Sequence, residues 1–212
     1  MKHFIRRDTI LAIETRKGLY VLAQSIGNYT LVFFNIFYEN IDQFNCIKLN
    51  KKDILCCITP VKTFFKKANI EKIKITPLLD IFDQNKKDHV TFELMSLAKT
   101  YIIYSGTKDE FEINYWDGDL RLVNWKIEKI KKLDKIKDKK IIEKYQFDTM
   151  GMYGELNEKL YLSYRYGKYV EPLKDMIMNE KLPLEYKTYF LITSKKITEE
   201  EWLKLPIERK IE

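Results

Sequence analysis

Histidine is nearly missing from this chain, with His3 and His89 the only two. Zinc sites that need paired His at helical spacing are therefore excluded, and one His near a lone Cys is no ligand set. A Ser-His-Asp triad could draw only on the same two residues. His3 stands in the first few positions, where chain ends fray. His89 follows the turn Asp83-Gln84-Asn85-Lys86-Lys87-Asp88 and reads as a solvated loop residue. Neither a Gly-x-Ser-x-Gly elbow nor a phosphate-cradling glycine loop occurs, so the chain carries no signature of acyl or phosphoryl transfer and no cofactor is expected. Cysteine is scarce too. Cys46, Cys56 and Cys57 make an odd count, and the neighbours Cys56 and Cys57 in a strand face opposite sides, which argues against a shared metal or a mutual disulfide. With seven Gly and five Pro there is little room for a flexible linker. No apolar run approaches the roughly 18 residues of a membrane span. Nor does the basic start, Met1 to Asp8, lead into the apolar segment of a signal peptide. A reducing, cytoplasmic setting is expected.

What is present is a globular composition, 45% apolar and 14% aromatic over 212 residues. The first 38 residues read as three strands, Thr9 to Thr15, Leu19 to Ile26 and Tyr29 to Tyr38, joined by turns at Gly18 and at Gly27-Asn28. Ile54 to Thr59 makes a fourth strand ended by Pro60. Val61, Phe64, Phe65 and Ala68 recur at helical spacing, and Ile70 to Ile75 reads as another short strand. Val90 to Leu94 and Tyr101 to Tyr104 have strand composition. Phe111 to Trp116 and Asp119 to Val123 flank Asp117-Gly118, a pair suited to a type I′ hairpin.

Beyond Asn124 the pattern changes. Ile127, Ile130, Leu133 and Ile136 recur every three residues, which predicts a lysine-flanked helix. From Gly151 the chain reads as mainly helical, with Leu156, Leu160 and Tyr164 sharing one helix face and Leu173, Met176 and Ile177 another. Thr198-Glu199-Glu200-Glu201 has capping-box spacing ahead of Trp202. Tyr186 to Thr193 has the composition of a strand.

Net charge is +7, and nine Lys against four carboxylates put a local +5 between Lys126 and Lys144. That excess invites a nucleic-acid partner; a solvated helix face is the simpler reading, because Lys meets phosphate only as a point charge. The cluster Tyr161-Leu162-Ser163-Tyr164-Arg165-Tyr166-Gly167-Lys168-Tyr169 has the mixture that anchors protein interfaces or stacks on bases. Alternatively, its rings pack inward with their hydroxyls at the rim. Trp116 and Asp117, at the expected hairpin tip, are second candidates for partner contact.

The opening Arg6-Arg7-Asp8-Thr9-Ile10-Leu11-Ala12-Ile13, then Gly18-Leu19-Tyr20-Val21-Leu22-Ala23-Gln24, resembles the start of the immunity protein 26 family of bacterial polymorphic toxin systems. Asp53 to Ile58 with the following Phe64, Phe65 and Ile73 is similar to that family's next strand and trailing helix. Arg7 stands where the family usually has Gly, and the likeness covers about residues 4–80. The resemblance implies an α+β fold and a non-catalytic role, binding a toxin domain and blocking it.

The expectation is thus an α+β protein: an antiparallel, SH3-like or curved sheet with a hairpin over 1–145, then a mainly helical region over 146–212, either separate or packed on the first part. It is expected to be no enzyme, to stay off membranes, and to bind a protein partner through Tyr161, Tyr164, Arg165, Tyr166, Lys168, Tyr169, Trp116 and Asp117. The alternative is a basic nucleic-acid-binding module using the Lys126–Lys144 face and the Tyr161–Tyr169 cluster.

Overall fold

Alternation of side chains along the first strands builds two apolar cores, one on each face of a single sheet. The structure, a computed structural model, describes residues 5–27, 29–78, 102–104, 111–115, 128–133, 136–137, 139–140, 150–178, 181–208 and 211. The fold is α+β. Strands β1 (Ile10–Glu14), β2 (Tyr20–Gly27), β3 (Thr30–Tyr38) and β4 (Ile54–Pro60) form an antiparallel meander, with β5 (Ile70–Ile73) returning beside β1.

The register shows how the two cores separate. Ile13 lies opposite Val21, Ala23 opposite Phe33, and Phe33 opposite Cys56. These residues meet Leu11, Leu31, Ile58, Phe64, Leu156 and Leu160 on one face. Ala12 opposite Leu22 and Val32 opposite Cys57 belong to the other face, with Ile10, Phe34, Phe44 and Leu49. Cys56 and Cys57 thus sit in different cores, as the period of two requires. None of the three cysteines is in a disulfide among the described residues. Register irregularities between Val21 and Ala23 and between Phe33 and Phe34 interrupt the ladders, and bulges of this kind bend and twist a strand. Gly18 makes the first turn at φ +82; at the second, Gly27 takes φ +96 and Tyr29 itself adopts φ 61.

Local chain closes the first of these faces' opposite. The connection after β3 folds into a 3-10 turn, Ile41–Cys46, which buries Phe44 fully. Helix α1 (Lys62–Lys67) follows Pro60 and presents Phe64 to the other core. Strand β9 (Met150–Gly151) adds to β4 in parallel, Thr59 opposite Met150 and Pro60 opposite Gly151. Then come helices α2 (Tyr153–Tyr166), α3 (Pro172–Met178), α4 (Lys187–Thr193) and α5 (Glu199–Leu203). Leu156 and Leu160 press α2 onto the sheet; Leu162 packs with Val170, Tyr186 and Tyr189 on its far side. No helix among the described residues is long and apolar enough to cross a membrane.

Two expectations need correction. Glu128–Leu133 is a strand, β8, not part of a helix: it pairs with β7 (Phe111–Tyr115), and pairing overrides a three-residue apolar spacing. Strand β7 also pairs with β6 (Ile102–Tyr104) on its other side. Both edges of β7 are therefore paired; residues 119–123, expected to return beside it, lie outside the described residues. Tyr186–Thr193 is not a strand. It is a 3-10 turn, Leu184–Tyr186, running into α4, and its aromatic content reflects burial of Tyr186 and Tyr189 on one helical side. Met176, on α3, is 47% exposed. The predicted strand at 90–94 and the Asp117-Gly118 turn lie outside the described residues.

Candidate functional site

Helix α2 starts without a side-chain cap at Met152 and ends in Gly167 at φ 66, the left-handed stop that glycine provides without strain. Asparagine, glutamate and lysine follow one another along its middle, and all three are buried: Asn157, Glu158 and Lys159. A helix buried on every side must satisfy such groups internally. Asn157 donates its amide to the Glu14 carbonyl at 3.1 Å. Glu158 receives Arg16 in a two-pronged pair, Nε to Oε2 at 3.0 Å and Nη2 to Oε1 at 2.6 Å. The Trp202 indole N–H adds a third bond to the same carboxylate at 2.8 Å. Arg16 comes from the β1–β2 turn, and its guanidinium carbon lies 3.6 Å from the centre of the Tyr161 ring. A planar, always-charged fork suits this double task of carboxylate and ring, which Lys could not perform. Lys159 stands 3.7 Å from Glu155, whose carboxylate also accepts the Tyr189 hydroxyl at 2.8 Å.

At the end of α2 the tyrosine cluster divides. Tyr161 is 2% exposed, so the expectation that it contacts a partner is corrected: its ring carries Arg16 and its hydroxyl accepts the Glu208 amide at 2.8 Å. Tyr169 packs on the sheet-side core. Tyr164 is half-buried, its ring 5.5 Å from that of Phe37 on β3, and Arg165 pairs with Glu208. Tyr166 and Lys168 reach the rim. The Tyr166 hydroxyl donates to Glu185 at 3.1 Å; burial, then that carboxylate, push its pKa up to about 12. Tyr186 beneath it donates to Asp175 at 2.5 Å, and burial followed by this bond raises its pKa well above the ordinary value. The side-chain amide of Asn35 on β3 donates to the Gly167 carbonyl at 2.9 Å, tying the helix end to the sheet. Beside this fixed rim stands Leu184, 88% exposed. Trp116 and Asp117 lie outside the described residues, as do His3 and His89.

A cleft of about 500 Å³ opens at the start of α2, lined among others by Lys67, Met152, Tyr153, Ile192 and Trp202. Its two carboxylates are already engaged, Glu155 by Tyr189 and Glu199 by Lys67 at 2.6 Å. Among the described residues no group of three or more His, Cys, Asp or Glu is placed to hold a metal. The lysine-rich stretch expected to be a helix face over 126–144 is a strand at Glu128–Leu133.

Arg16, Glu158 and Trp202 were not legible as partners. Arg16-Lys17-Gly18 reads as a turn, and Asn157-Glu158-Lys159 between Leu156 and Leu160 reads as the solvent side of an amphipathic helix. What covers it comes from residues 186–208, through contacts no local spacing records.

Fold and site together define an α+β protein with a central helix wrapped on all sides, ionic at its middle and aromatic at its exposed end. The chain belongs to the family described as Domain of unknown function (DUF8309), which it matches over residues 2–181. No curated protein and no solved structure matches it.

Proposed function

We propose that this chain is a non-catalytic binding protein of the cytoplasm that neutralises a bacterial toxin domain by occluding it, as the resemblance to the immunity protein 26 family implies. One observation supports the reading: the end of α2 offers an aromatic rim held in place before any partner arrives. Tyr164 and Tyr166 are held by neighbouring rings and by Glu185, while Lys168 and the 88%-exposed Leu184 project beside them. Tyrosine anchors held in place before binding lose little conformational entropy, and such residues dominate protein interfaces. Net charge +7 favours a partner with an acidic face.

The test is co-expression with each toxin-like domain that a neighbouring gene is found to encode. Protection from growth arrest and a stable complex are expected. Tyr166→Ala with Leu184→Asp should weaken that complex by about 2 kcal/mol or more in a chain that still melts cooperatively. An unprotected host, or full affinity in the folded double variant, would sink the reading. Binding of DNA that falls steeply with salt, in place of a protein complex, would also replace it.

A further inference from the structure

We draw no further inference here: the strongest candidate, the cleft of about 500 Å³ between α1, the start of α2 and the connection from α4 to α5, rests on an uncapped helix start and on carboxylates already engaged within the chain, and nothing in the structure shows what would fill it.

Discussion

One face of the large sheet is closed by chain that directly follows its own strands, the other by a helix beginning at Tyr153. On the first, Phe44, Leu49 and Leu78 arrive from short connections and meet Ile10, Val32 and Phe34, an almost wholly apolar contact. On the second, Leu156 and Leu160 bring with them Asn157, Glu158 and Lys159, which must find partners away from water. The difference is physical. A local connection can be apolar on its one buried side, whereas a helix sandwiched between sheet and later helices has no solvent side for its polar residues. The apolar face depends mainly on packing, with buried Gln24 accepting the Leu78 amide at 2.8 Å, and the helix face on packing and on a closed ionic circuit.

The sharpest way to break the contrast is Glu158→Ala. It strands Arg16 in a dry site and unpairs the Trp202 N–H, and removing one member of a buried pair costs about 3–5 kcal/mol. Urea denaturation should show that loss as a shifted midpoint. Replacing both members, Arg16→Met with Glu158→Leu, should cost clearly less, since no lone charge is then left. A double variant as unstable as the single would mean that the circuit, not the stranded charge, supplies the energy. On the apolar face no such recovery is available: Leu22→Ala should cost about 2–5 kcal/mol by transfer and cavity together.

Smaller effects probe how α2 is seated. A Cβ on Gly151 would stand 2.6 Å from Leu156 Cδ2 and 3.0 Å from its Cβ. Gly151→Ala therefore forces β9 and the first turn of α2 apart, an overpacking cost of about 1–3 kcal/mol. Thermal melting of Gly151→Ala beside the Gly151→Ala, Leu156→Ala pair tests it. The pair should be less than the sum of its parts, because the smaller Leu156 substitute makes room.

The same contrast explains what could be read in advance. Strands β1 to β5 and helix α1 were legible because alternation and helical spacing are local records of which side is buried, and Cys56 and Cys57 fell into opposite cores as that alternation demands. The capping box at Thr198 was legible for the same reason: both Thr198 and Glu201 lie within one turn. Glu128–Leu133 misled because its apolar residues fit a helix while its pairing with Phe111–Tyr115 is set by distant chain. At the site, Tyr166 and Lys168 do reach the rim. Tyr161 does not, since its burial depends on Arg16 and on Glu208, neither of which its neighbours in sequence foretell.

Burial of the two strand thiols gives the smallest and most specific prediction. Cys57 lies in the apolar face, and burial pushes its thiol from the ordinary 9.0 up to about 12; burial also raises Cys56 well above 9.0, with the neighbouring Cys57 next among the causes. A thiol that ionises later in the folded chain than in the unfolded one stabilises the fold fully below the unfolded value. That contribution drains away as pH climbs from 9 towards 12, because the unfolded chain then releases the proton that the folded chain keeps. Melting temperature should therefore fall above pH 9, and Cys57→Ala should flatten part of that decline. A thiol reagent at neutral pH should meet one reactive cysteine, Cys46, which is exposed, and reach the other two only in denaturant. Rapid labelling of Cys57 in the folded protein would show that the apolar face opens, and would end the distinction between a packed side and a wired one.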